Sequence, residues 1–199
     1  DDTFAIAESV KGVEGVVVEQ NATQTIKAGD VTINDAQVVG TTPDFPSVRD
    51  LEIASGRNFN QAELERKQKV AVLGASLAEE LFGEVTPVGQ ALTVGTTKLT
   101  VIGVLEEKGT VGGVDYDARL YIPITVVFDK FQNDQFARVR GDRVGTIYVE
   151  VAEAAVLEDV VLQIELLLAK RHDVTLEAPD FSVQTQQDVI STQESTTAA

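Results

Sequence analysis

The sequence predicts an α+β protein with mixed strand pairing, and three observations lead there. Residues 70–73 (Val-Ala-Val-Leu), 101–105 (Val-Ile-Gly-Val-Leu) and 121–124 (Tyr-Ile-Pro-Ile) are short apolar runs of strand length punctuated by Gly or Pro. Two stretches, 75–82 and 157–171, carry helical spacing and lie far apart in the chain. The 199 residues are 43% hydrophobic, enough to bury a core without staples, although only 6% are aromatic and none is Trp, so Val, Ile, Leu and Ala must fill it.

Taken in order, Phe4, Ile6, Ala7 and Val10 predict a short helix over residues 1–10, with Gly12 and Gly15 closing it. Residues 13–19 read as a strand. Residues 23–27 and 31–33 flank the turn Ala28-Gly29-Asp30 and predict a hairpin, and 37–40 reads as a further short strand. Residues 43–50 read as a turn or short helix, and 61–67 as a polar helical turn at the surface. Strand 70–73 ends at Gly74, and Leu77, Ala78, Leu81 and Phe82 share one helix face before the stop residue Gly83. Residues 91–94 and 98–105 are strands joined by Gly95-Thr96-Thr97. Gly109, Gly112 and Gly113 make 106–117 a mobile loop. A strand at 120–123 leads to a short helix at 125–131, and 133–145 is polar and loop-like.

Residues 146–151 alternate, with Ile147, Val149 and Val151 on one side. Helix 157–171 is the clearest element: Leu157, Val160, Val161, Ile164, Leu167 and Leu168 form its apolar face, and Lys170 and Arg171 sit where the helix dipole favours cations. Residues 173–176 and 181–185 read as strand, separated by Pro179, and 186–196 as a last helix. Boundaries fall near Asp44 and Gly141, so residues 1–43 and 141–199 are expected to form one lobe, with 44–140 inserted as a β-rich second.

The formal net charge of -16 disfavours nucleic acid and anionic headgroups as partners. With no Cys, disulfides and thiolate chemistry are excluded. Met is absent too, which points to a processed chain or a segment of a longer one, and no stretch reaches the roughly 18 to 20 apolar residues of a membrane span.

Motifs that carry covalent chemistry are scarce. Gly74-Ala75-Ser76-Leu77-Ala78 follows a strand and opens a helix, as an α/β-hydrolase nucleophile does, but the last Gly of that motif is Ala78; a Ser capping the helix is the simpler account. The lone His172 cannot make a transition-metal site, and Asp115 and Asp117 fall far short of the roughly 6 to 8 oxygens Ca²⁺ takes. No phosphate-cradling loop is present, so no cofactor, metal or catalytic residue is assigned. Arg140-Gly141-Asp142 and Asn21-Ala22-Thr23 spell an integrin-type tripeptide and a glycosylation acceptor, and both are short enough to arise by chance. The apolar face of 157–168 is read as core, with a groove for a partner helix as its alternative.

In order along the chain stand Gly40-Thr41-Thr42-Pro43-Asp44-Phe45, Gly56-Arg57-Asn58-Phe59, Val70-Ala71-Val72-Leu73-Gly74, Leu81-Phe82-Gly83, Pro87-Val88-Gly89, Val101-Ile102-Gly103-Val104-Leu105 and Tyr121-Ile122-Pro123-Ile124. Together these resemble the MacB-like extracytoplasmic domain of ABC-transporter permeases, a group that includes the FtsX and LolC/LolE types. The resemblance runs from about residue 13 to the C-terminus, where Asp188-Val189-Ile190-Ser191-Thr192-Gln193-Glu194 is similar to the family's exit helix before its second membrane span.

The resemblance implies a porter-like α/β lobe from the terminal segments and an inserted mixed β-rich lobe, both chain ends at one pole, and a place on the outer face of the bacterial cell membrane. It implies a non-enzymatic role: relaying ATP-driven motion to substrate or to an adaptor protein in export. The implied partners are an ATP-binding subunit or domain, a membrane-fusion adaptor and a second permease copy held through the membrane part, the isolated domain being monomeric. The loop 106–117 is the expected contact surface, with Lys108, Val111, Val114, Asp115 and Tyr116 as its candidate residues. The rival expectations are a free-standing secreted binding or adhesion module and a hydrolase using Ser76.

Overall fold

A computed structural model describes residues 2–131, 145–153 and 156–185. Contacts divide the chain into two compact units, one from Asp1–Glu14 with Val151–Ala199 and one from Gly15–Glu150. The lobes expected from sequence divide at 43/44 and 140/141 instead. The difference has a physical source in the first two strands, which pair with strands from the middle of the chain.

In the larger unit, β1 (Val13–Ala28) and β2 (Val31–Thr41) form a long antiparallel hairpin from Glu19↔Thr41 to Ala28↔Val31. Gly29, at φ +55, takes the first place of its two-residue turn, where a primed turn wants a positive φ. The sequence leaves a break at residues 20–22, between strands expected at 13–19 and 23–27. The strand runs through them nonetheless, since Gln20, Asn21 and Ala22 pair with Gly40, Val39 and Val38 on β2, and the ladder is interrupted only at Thr25, where the register shifts.

After the short helix α2 (Phe45–Val48) come β3 (Ile53–Gly56), α3 (Gln61–Glu65) and β4 (Val70–Leu73). Asn60 and Glu63 make a reciprocal capping box at the start of α3, with Glu63 also held by Arg57. Helix α4 (Ala75–Phe82) ends at Gly83, and β5 (Ala91–Val94) and β6 (Thr97–Leu105) follow. Then come β7 (Thr110–Val111), β8 (Val114–Asp115), β9 (Arg119–Pro123), α5 (Ile124–Lys130) and β10 (Thr146–Val151).

Strands β1, β2, β9, β4, β6 and β5 pair in that order, and β5 pairs back onto β1, so the sheet closes on itself; β10 and β3 extend it from β1 and β6. Pairings β2–β9 and β4–β6 are parallel and the rest of the ring is antiparallel. One core draws on all six ring strands, through Ile26, Val38, Leu73, Leu92, Val101 and Leu120 among others, and takes in Leu77 and Leu81 of α4 and Val126 and Val127 of α5. The alternate residues Val39, Val72 and Tyr121 enter a second core with Phe45, Phe59 and Leu105. Both faces of β4 and β9 are therefore buried, which is why their sequences are continuous apolar runs rather than alternating ones. The Gly-closed motifs serve this packing. A Cβ on Gly103 would stand 2.3 Å from the Arg57 carbonyl oxygen, where β3 turns past β6.

In the smaller unit, α1 (Asp2–Ser9) packs on α6 (Leu157–His172), burying Ile6, Val10, Val160, Ile164, Leu168 and Ala169. The buried stripe is narrower than the predicted face, since Val161 and Leu167 sit half-buried at its rim. The strands expected at 173–176 and 181–185 are absent. Asp173 turns the chain off α6 at φ +54, and the Val174 and Ala178 amides are spent on local turns before Pro179, which has none to give. The helix expected at 186–196, with the exit segment it contains, the polar stretch 132–144 and both chain ends lie outside the described residues.

Candidate functional site

The Gly-rich stretch 106–117 is an anchored β-ribbon, not the mobile loop expected from its composition. Strands β7 and β8 pair antiparallel across Gly112 and Gly113, whose φ angles of +59 and +78 suit a two-residue turn that side chains disfavour. The Asp117 carboxylate accepts hydrogen bonds from the amides of Lys108 (2.9 Å) and Gly109 (2.8 Å), which cinches the base. Asp115 accepts from the amides of Asp117 and Ala118. Both carboxylates are thus committed to backbone. The Lys108 ammonium donates to the carbonyls of Arg49 and Asp50. Gly74 lets α4 start against this base: a Cβ there would fall 2.3 Å from the Asp117 carbonyl oxygen, which instead accepts from the Leu77 amide at 3.0 Å.

The five residues expected to contact a partner therefore separate. Val111 stands 50% exposed at the ribbon tip, Asp115 is exposed and Val114 half-buried. Lys108 and Tyr116 turn inward, and Tyr116 is only 7% exposed.

What Tyr116 meets inside was not visible in the sequence. Arg49, just past α2, donates from Nη2 to the Tyr116 hydroxyl and lies with its guanidinium carbon 3.8 Å from the centre of the Tyr148 ring and 5.3 Å from that of Tyr116. Lys108 and Arg119 bring two more cations to 5.4 and 5.6 Å from the Tyr116 ring. The countercharge is Glu19 on β1, buried to 4% exposure, whose Oε1 lies 3.4 Å from Arg49 Nε. That contact is one of charge rather than a hydrogen bond, which the buried Nε does not make. Burial pushes the Glu19 carboxyl above its ordinary range, opposed by Arg49 and Arg119. Beside this cluster, Tyr121 donates to the Tyr116 carbonyl at 3.3 Å, and its ring stacks on Phe45 at 4.9 Å, with Phe45 stacking in turn on Phe59 at 5.8 Å. Burial drives the Tyr121 phenol far above its usual range and raises that of Tyr148.

Chemically, this arrangement holds a ribbon at a set angle on the sheet. Through one guanidinium it ties the end of α2 to Glu19 of β1, to Tyr116 just past β8 and to Tyr148 of β10. The single local clue in the sequence is Glu19, a carboxylate ending the apolar run Val16-Val17-Val18. Arg49 and Tyr148 carry no local signal.

The other candidates resolve differently. Ser76 is exposed in the first turn of α4 and is not its cap, since Gly74 holds that position without a side-chain bond. The ring nitrogens of His172 face Asp180 and Asp2, not a serine hydroxyl. Asn21 and Thr23 are exposed on β1, and 140–142 lie outside the described residues. Among the described residues no group of three or more His, Asp or Glu is arranged to hold a metal ion, and no helix is long and apolar enough to cross a membrane.

Solved structures share the fold. The periplasmic region of MacB from Actinobacillus actinomycetemcomitans superposes with a TM-score of 0.80 over 97% of this chain and 81% of that one, at 20% identity. The extracellular domain of the noncanonic ABC-type transporter YknZ from Gram-positive bacteria gives 0.71 over 87% of this chain and 83% of that one, at 21% identity. Among curated relatives, the macrolide export ATP-binding/permease protein MacB of Bdellovibrio bacteriovorus is 32% identical over 87% of this chain and 26% of its own length. The protein of that name from Rhodospirillum rubrum is 32% identical over 98% of this chain and 28% of its own length. The pyoverdine export ATP-binding/permease protein PvdT of Pseudomonas aeruginosa is 32% identical over 62% of this chain and 18% of its own length. The chain thus spans about a quarter of the length of the MacB relatives it matches. The family profile described as the MacB-like periplasmic core domain matches residues 1–167, and with that match this chain belongs to the MacB-like periplasmic core domain family.

Proposed function

We propose that this domain is the extracytoplasmic part of an ABC-transporter permease devoted to export, and that it is a relay rather than a catalyst. The family match across residues 1–167 is the observation that carries the proposal. Relatives named for macrolide and for pyoverdine export point to a small-molecule substrate handled by the whole protein. In this proposal an ATP-binding subunit or domain supplies the motion and a second permease copy associates through the membrane part. The isolated domain is monomeric, with its terminal segments forming the porter-like lobe.

The partner-facing surface is the ribbon of β7 and β8. Val111, Val114 and Asp115 would meet a membrane-fusion adaptor, while Lys108 and Tyr116 set the angle at which they are presented. A relay needs stiffness between the surface that is pushed and the surface that pushes. The Arg49 cluster beneath the ribbon supports the proposal on that ground.

The test uses the complete transporter with its adaptor. A photo-crosslinking side chain at position 111 should capture the adaptor, and Val111→Asp should lower export several-fold while ATP hydrolysis by the transporter persists. Full export in the Val111→Asp variant, with no adduct at 111, would refute the contact surface.

A further inference from the structure

His172 is the only histidine of the chain and the last residue of α6. Its Nδ1 lies 2.6 Å from Asp180 Oδ1, in the segment that follows the helix, and its Nε2 lies 3.2 Å from Asp2 Oδ2, at the start of α1. A neutral imidazole has one N–H and one lone pair. Facing carboxylate oxygens from both nitrogens, it would satisfy one and set its lone pair against the other. Only the imidazolium donates to both. Asp2 is further held by Arg171 Nε at 2.8 Å, and the Phe181 ring meets the imidazole edge-on at 5.9 Å. Among the described residues, the charged groups facing the ring are Asp180 from the following segment and Asp2 from α1, with Arg171 reaching Asp2 from α6 itself.

We propose that His172 is a pH-operated latch: as imidazolium it ties the start of α1 and the segment after α6 to the end of α6, and as neutral imidazole it keeps Asp2, which Arg171 also holds, and releases Asp180 with its segment. The hydrogen bond to Asp180, followed by that to Asp2, raises the His172 pKa above its ordinary value. On Asp2, burial acts upward, but the bonds from Arg171 and His172 outweigh it and the net direction is down. The signs follow from linkage. A raised histidine pKa contributes stability that is full below the unfolded value of about 6.5 and lost as pH rises through the folded one. A lowered carboxylate pKa contributes stability present above about 3.9 and lost as pH falls through the folded one. The latch is therefore closed in mild acid and opens as pH rises through the raised folded value of His172. It stands on the smaller unit alone and does not rest on the proposed transport role.

With one histidine, proton NMR of the imidazole Cε1 hydrogen reads its titration without ambiguity in the 199-residue chain. The wild-type midpoint should lie above 6.5, and Asp180→Asn and Asp2→Asn should each move it down. The backbone order of residues 180–182, read by heteronuclear NOE, should fall with the same midpoint. In His172→Gln, which donates from one nitrogen at any pH, that order should be pH-independent and below the wild-type value at pH 5. A midpoint unmoved by both aspartate changes overturns the latch. So does order at 180–182 that stays level through the histidine titration.

Discussion

Replacing Arg49 by Met keeps the aliphatic stem and removes the charge that faces Glu19. Glu19 is 4% exposed, so the variant leaves a buried carboxylate with only the more distant Arg119 to oppose it. Breaking a buried pair from one side costs about 3–5 kcal/mol. The lost stacking on Tyr148 and Tyr116 adds to this, at about 0.5–2 kcal/mol for a partly desolvated cation over a ring. With a urea m-value of about 2 kcal/mol/M, the midpoint at pH 7 should fall by about 1.8–3.5 M.

The pH dependence separates this account from simple loss of packing. Burial already raises the folded pKa of Glu19, and a raised carboxylate pKa makes stability fall as pH climbs from the unfolded value toward the folded one. Without Arg49 that pKa rises further, so the deficit should be larger at pH 7 than at pH 5. Adding Glu19→Gln to Arg49→Met should recover most of the loss at pH 7, because a neutral amide in the same volume needs no countercharge. Urea unfolding followed by far-ultraviolet circular dichroism at both pH values decides it. A deficit under about 1 kcal/mol, equal at pH 5 and pH 7, or a double variant no more stable than the single one, would refute the buried-pair account.

Phe45→Ala should cost about 3–5 kcal/mol, because the ring is fully buried between Phe59 and Tyr121; a loss near 1 kcal/mol in the same urea assay would mean the stack can collapse into the gap. Gly103→Ala should lose about 1–3 kcal/mol, since its new methyl meets the backbone oxygen of Arg57, and unchanged stability would show that β3 can move aside. Asn60→Ala removes one half of the α3 capping box and should cost about 1 kcal/mol, with faster amide exchange at Glu63 as the local readout. Val111→Asp should change stability by less than about 0.5 kcal/mol, so that any export defect in the complete transporter reports on contact and not on folding.

Elements whose signal is local were legible in the sequence. Strand β4 and helix α4 appear as an apolar run, a Gly and a helical face; β10 alternates; α6 carries its stripe between acidic and basic ends. Strand β3 was not, because four mostly exposed residues at a sheet edge have no reason to alternate. Closure of the ring was not either. It depends on parallel pairs, Val38 with Leu120 and Ala71 with Val101, whose partners are separated by long stretches of chain and leave no periodic trace. The ribbon was located correctly and misjudged in character, since glycine content marks the turn but says nothing of the Asp117 carboxylate that cinches it. The Arg49 cluster draws Glu19, Arg49, Tyr116 and Tyr148 from separate elements, so no single window of sequence contains it.

The sheet's closure is uneven around its circumference. Strand β1 is zipped to β2 along most of their shared length, but meets β5 through only Ile26↔Val94 and Lys27↔Thr93, joined by the Gly95 amide on the Thr25 carbonyl at 2.9 Å. The β4–β9 seam is as short, through Val72↔Tyr121 and Leu73↔Leu120, but both of its strands are buried on both faces, whereas the β1–β5 seam includes the exposed Lys27, so few bonds and less packing hold it. Opening it separates β5 from β1 while β5 stays paired to β6, which wets Val94 and Ile26. A cylinder that looks continuous thus behaves as a sheet with a weakly buttoned edge at 93–95.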